Sequence, residues 1–112
     1  MAADFTSCAP GMIAAMFRNF VEAGLKHSGL SPESAQEMVI TTLLGTARLL
    51  LERNMGFSEL ISGVATRGGI TEEAVKVLDR GLPSVFEEVF RGTLGKHNAV
   101  KELVRNQRPM RS

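Results

Sequence analysis

Residues 31–54, SPESAQEMVITTLLGTARLLLERN, decide the fold of this chain. Ser31, Pro32 and Glu33 indicate a helix N-cap, a proline at the first helical position and an acidic first turn. Apolar residues then recur with the period of an α-helix. They are Ile40, Leu43, Leu44, Ala47, Leu50 and Leu51. We predict a helix over about 32–54 that stops at Asn54-Met55-Gly56, with Gly56 in the left-handed conformation.

This helix has more apolar surface than a small core can cover. Met38, Val39 and Leu49 widen the apolar part past half of the circumference, which leaves a narrow polar stripe. The stripe consists of Glu37, Thr41, Gly45, Arg48 and Glu52. In a chain of 112 residues, a partner subunit is the best means of covering such a helix. The pattern therefore predicts an obligate homodimer, which could assemble further.

The flanking sequence is helical on both sides. A first apolar helix starts at Pro10 and is predicted to end near Ser28-Gly29. After residue 54, a short helix is predicted from Glu59 to about Val64 with Ser58 as its cap, then a helix over 71–80 and a last helix from Ser84. Gly81 and Pro83 are expected to separate those two helices. No stretch alternates as a strand would, so we predict a single all-α domain of about five helices over 1–112.

Composition excludes several classes of protein. Apolar residues make up 44% of the chain, there is no Trp or Tyr, and the net charge is +1. These values predict a globular domain with an aliphatic core and give no electrostatic reason to expect nucleic acid or a membrane as partner. A single cysteine, Cys8, and the absence of an apolar run of about 18 residues favour the cytoplasm. The basic end of the chain, 105–112, is expected to be solvated.

No catalytic or metal-binding constellation is visible in the sequence. His27 and His97 have no further His or Cys at ligand spacing, so no metal site is expected. Neighbouring acids such as Glu72 and Glu73 diverge by about 100° on a helix and do not face each other. No glycine-rich G-x-G-x-x-G segment follows a strand. We therefore expect no cofactor in this chain and no catalytic activity from the chain alone.

Thr66-Arg67-Gly68-Gly69-Ile70-Thr71 allows two interpretations. It can be an ordinary loop before a capped helix, or a glycine-rich turn that binds a carboxylate or phosphate at the helix N-terminus. In the second case Thr71 is the N-cap, and Gly69 takes a conformation closed to other residues.

Four segments together resemble the C-terminal domain of pyrroline-5-carboxylate reductase, the last enzyme of proline biosynthesis. The small-residue loop before the first helix looks like 6–11, and the start of the second helix looks like 29–32. The interior motif of the second helix is similar to 41–52. The family signature Ser-Pro-Gly-Gly-Thr/Ala-Thr, followed by Leu-Glu, is similar to 66–71 and to Leu78-Asp79. The resemblance covers about residues 6–95.

The resemblance implies an interlocked helical dimer, like the C-terminal domain of 6-phosphogluconate dehydrogenase. It implies that the turn holds the carboxylate of a pyrroline ring through the N–H groups of Gly69, Ile70 and Thr71, next to Gly68. Thr66 would also contact the carboxylate, and the Thr71 hydroxyl would contact the ring nitrogen as the catalytic group. Hydride would come from NADPH or NADH, bound by an N-terminal Rossmann domain that this chain lacks.

Three departures from the family pattern keep alternatives open. Arg67 replaces a proline, the loop at 6–11 keeps only Gly11 of its glycines, and Glu72 replaces an apolar residue next to the implied site. The chain could therefore belong to a divergent paralogue acting on another imino or keto acid. It could also be a dimerisation module that kept the fold and lost the chemistry.

Overall fold

The computed structural model describes residues 7–107 and consists of four α-helices, with no strand in that range. They are α1 (Ala9–Lys26), α2 (Pro32–Glu52), α3 (Phe57–Val64) and α4 (Ile70–Gln107). The predicted all-α class is confirmed. The tail from 105 lies largely outside the described residues.

The first two helices begin as the sequence predicts. Pro10 lies in the first turn of α1, and Pro32 lies in the first turn of α2. The Ser31 side chain caps α2 by accepting a hydrogen bond from the N–H of Ser34 at 3.2 Å. This cap pairs one of the donors that a helix start leaves without a partner.

The end of α2 differs from the prediction by two residues. Asn54, rather than Gly56, takes the left-handed conformation, with φ 49°. The N–H of Met55 donates to Leu50 O at 3.0 Å, and the N–H of Asn54 donates to Leu51 O at 3.4 Å. This pair of bonds is a Schellman motif, and asparagine tolerates its left-handed position better than most residues do.

Gly56 begins the next helix instead of ending the previous one. Its backbone is extended at φ −82°, and its carbonyl accepts the N–H of Leu60 at 3.1 Å. Helix α3 therefore starts at Phe57, and the prediction that Ser58 is its cap was wrong.

The predicted break at Gly81 and Pro83 is absent, because α4 continues through both residues for 38 residues. Pro83 removes one backbone donor, but two new helix ends would leave about eight backbone groups unpaired. The Ser84 hydroxyl donates to Gly81 O at 3.2 Å in the same turn, and only the Asp79 carbonyl loses its helical donor to Pro83. Continuation thus loses fewer hydrogen bonds than a break, and residues 7–107 form four helices where the sequence predicted five.

The chain buries little of its own apolar surface. Among the described residues, only α1 and α2 pack extensively along each other, and Ala35 is the one buried hydrophobic residue, at 9% exposure. The accessible surface is 9477 Å², whereas a compact monomer of 12.1 kDa exposes about 6,000 Å². The radius of gyration is 18.9 Å, against about 13 Å for a compact domain of this length.

Apolar side chains are exposed on every helix. Leu51 on α2 is 82% exposed, and Leu103 on α4 is 62% exposed. None of the described helices is both long and apolar enough to cross a membrane.

Candidate functional site

The segment between α3 and α4 folds as a tight turn. The N–H of Gly69 donates to the carbonyl of Thr66 at 2.8 Å, which closes the turn. Gly68 has φ +75°, a conformation that side chains with a Cβ rarely adopt. The predicted positive φ therefore belongs to Gly68, and the assignment of a closed conformation to Gly69 was wrong.

Gly69 is required for a different reason. A Cβ at this position would lie 3.0 Å from Thr66 O and 3.3 Å from Thr66 Cβ. A side chain at this position would require Thr66 to shift by a few tenths of an ångström, and the carbonyl of Thr66 is held by the turn. The two glycines thus have separate roles: Gly68 adopts the positive φ, and Gly69 leaves room for the backbone of Thr66.

Helix α4 begins before Thr71. The Gly69 carbonyl accepts the N–H of Glu73 at 3.2 Å, so Gly69 is the residue that precedes the helix and Thr71 is its second residue. The prediction that Thr71 is the N-cap was wrong, because the turn closes early enough for Ile70 to be helical. Thr71 itself is half-buried.

The turn leaves fewer free donors than the sequence suggests. The Gly69 N–H is paired with Thr66, so it is not free to bind another molecule. The N–H groups of Ile70 and Thr71 belong to the first helical turn and have no partner within residues 7–107. Ile70 is 91% exposed, and Thr71 is half-buried.

Glu72 has a role that the sequence reasoning missed. Its Oε1 accepts the N–H of Gly68 at 3.0 Å and lies 3.8 Å from the Nζ of Lys76. Glu72 is the third residue of α4, the position from which Glu reaches back to a backbone N–H in a capping box. Placing the helix start at Ile70 would have made Glu72 a candidate for such a bond, but with Gly69 as its partner. The bond goes to Gly68 instead, because the Gly69 N–H is paired with Thr66 O.

A surface cavity of about 460 Å³ lies beside the turn, between α3 and α4. Its charged lining residues are Arg67, Glu72, Lys76 and Asp79, and Ile61 and Val75 are apolar members. Arg67 is exposed and forms no ion pair with a described side chain. The sequence-predicted site residues Thr66, Gly68, Gly69, Ile70 and Thr71 thus lie on one turn, next to a cavity with charges of both signs.

Two apolar depressions of greater volume lie elsewhere, along the α1–α2 pair. One has a volume of about 490 Å³ and includes Phe17, Phe20 and Met38, and another of about 550 Å³ includes Ile13 and Ile40. Within residues 7–107, no three His, Cys, Asp or Glu side chains come together as a metal site would need.

The helical architecture and the open apolar surface define a helical association domain. Its sequence matches the model of the pyrroline-5-carboxylate reductase dimerisation family over residues 1–100. The chain belongs to this family, and the resemblance inferred from the sequence motifs is confirmed.

Relatives with known names agree with this assignment. The chain is 43% identical to pyrroline-5-carboxylate reductase 3 of Bacillus subtilis, over 96% of this chain and 39% of that protein. It is 37% identical to pyrroline-5-carboxylate reductase of Aquifex aeolicus, over 61% of this chain and 23% of that protein. It is also 28% identical to ComE operon protein 4 of B. subtilis, again over 96% and 39%.

The chain spans about two fifths of the length of the first two Bacillus subtilis relatives. No solved structure matches it closely enough for a comparison of folds.

Proposed function

We propose that this chain is the dimerisation and substrate-binding domain of a pyrroline-5-carboxylate reductase-like oxidoreductase of proline biosynthesis. In the full-length protein, a cyclic imine carrying a carboxylate is reduced with NADPH or NADH in the cytoplasm. The chain supplies the subunit interface and the carboxylate-binding turn. Family membership and the excess of exposed surface support this proposal.

The observation that supports the dimer is the accessible surface of 9477 Å², about 3,500 Å² more than a compact monomer of this mass exposes. Exposed apolar residues on α1, α2 and α4 supply that area. An interface of more than about 2,000 Å² is typical of an obligate dimer. We propose that two copies interlock their helices, so that the α4 helix of one copy covers the apolar surface of the other.

The substrate role is supported by the N–H groups of Ile70 and Thr71, which are free in the described residues. A carboxylate bound to the N–H groups of Ile70 and Thr71 would also meet the positive end of the α4 dipole. The Thr71 hydroxyl would then hydrogen-bond the ring nitrogen of the imine. Ring and carboxylate would be held in one orientation, which lowers the entropic part of the barrier to hydride transfer.

The nicotinamide cofactor needs a part of the protein other than these residues. Residues 7–107 contain no strand, and so they do not form the strand–turn–helix cradle that holds a dinucleotide pyrophosphate. The cofactor, which supplies hydride, would be held by a Rossmann domain of the full-length protein. The chain alone is therefore expected to be inactive.

One observation favours a second candidate, a dimerisation module without chemistry. Glu72 places a carboxylate at the turn, where it accepts the Gly68 N–H. A negative charge this close weakens the attraction of the turn for a substrate carboxylate. An enzyme that acts on another imino or keto acid would be a variant of the first proposal, because the same turn would bind the carboxylate.

Replacement of Thr71 tests the proposed function in the full-length protein. Thr71→Ala removes the hydroxyl but not a helix cap, so the fold should persist while kcat/KM for pyrroline-5-carboxylate falls by about 10-fold or more. The dissociation constant of NADPH should not change. Thr71→Ser keeps the hydroxyl and should restore most of the activity.

Equal activity of Thr71→Ala and the unaltered protein would contradict the role of Thr71. A full-length protein with no reductase activity toward any cyclic imine would favour the module without chemistry.

A further inference from the structure

We draw no further inference here: the strongest candidate, the apolar groove of about 490 Å³ along the α1–α2 pair that includes Phe17, Phe20 and Met38, belongs to the dimer surface already proposed, and nothing in the described residues shows another molecule that covers it.

Discussion

The α1–α2 pair and helix α4 contrast in how they cover their apolar residues. Helices α1 and α2 pack along each other and bury Ala35 between them, joined by a short connection with a strong helix cap at Ser31. Helix α4 extends for 38 residues, about 57 Å, and its C-terminal half exposes Leu103 and its apolar neighbours. The α1–α2 pair covers part of its apolar surface within the chain, whereas the apolar residues of α4 need a surface from another molecule to cover them.

The difference shows which helix contacts depend on neighbouring sequence alone. Helices α1 and α2 pack together within one chain because the connection between them is short and α2 has its own cap. The polar side of α4 carries ion pairs between Glu87 and Arg91 and between Glu102 and Arg105, but these pairs are exposed and add little stability. A long amphipathic helix of this kind is stable when its apolar stripe packs against another surface.

The largest effect is expected from a charge on the free apolar face of α2. Ile40 is 55% exposed in the single chain, so Ile40→Glu would be harmless in a monomer. In the proposed dimer it buries an unpaired carboxylate and should cost at least about 3 kcal/mol of dimer stability. Sedimentation equilibrium measures the dissociation constant.

Thr41→Glu is the matched control for Ile40→Glu. It adds the same charge one residue away, on the polar stripe, and should leave the dimer intact. Equal dissociation constants for the two variants would contradict an interface on this face of α2.

Truncation on α4 should have the next largest effect. Leu103→Ala should cost about 2 kcal/mol of stability per chain if this side chain is covered in the dimer. Thermal unfolding by circular dichroism at fixed protein concentration measures it. Lys101→Ala, on the same turn of α4, should change stability by less than about 0.5 kcal/mol. A harmless Leu103→Ala would show that the C-terminal half of α4 stays exposed.

A smaller effect is expected at the turn. Gly68→Ala introduces a Cβ at φ +75° and should destabilise the protein by about 1 kcal/mol. Gly63→Ala, inside α3 and with open space around its Cβ position, should stabilise it by up to about 1 kcal/mol. Urea unfolding of the two variants gives the sign directly, and a stabilising Gly68→Ala would contradict the positive φ of the turn.

The smallest effect belongs to the surface of α4. Glu87→Gln breaks the ion pair with Arg91, whose atoms are 3.4 Å apart. Because both side chains are largely exposed, the loss should stay below about 0.5 kcal/mol and the dimer mass should not change. A loss of more than 1 kcal/mol would place this side of α4 in an interface.

Much of the fold follows from local signals in the sequence. The start of α2 at Pro32 was predictable because Ser31, Pro32 and Glu33 each favour a helix start for an independent physical reason. The continuity of α4 through Pro83 was not predictable in this way. The sequence shows that Pro83 lacks a donor, but it does not show the larger number of hydrogen bonds that two helix ends would lose. The left-handed Asn54 was missed because glycine is the usual residue at that position.

The candidate site was predictable as a segment but not in its detail. The two glycines of 66–71 mark the turn. Which of them has the positive φ depends on the hydrogen bond that closes the turn, from Gly69 N–H to Thr66 O, and the sequence does not show that bond. The bond from Gly68 N–H to Glu72 depends on the first helical residue, which sequence patterns place only within a few positions. Placing the cap at Thr71 instead of Gly69, an error of two residues, was enough to hide the role of Glu72.

The most direct test measures mass and helicity of the chain together as it is diluted. We predict a particle of twice the 12.1 kDa chain mass at micromolar concentration, and a loss of helical circular dichroism that coincides with dissociation, because α4 has too little core of its own. Light scattering and circular dichroism on the same dilution series would provide both values. A 12.1 kDa particle that keeps its full helicity would contradict the claim that this chain completes its core with a second copy.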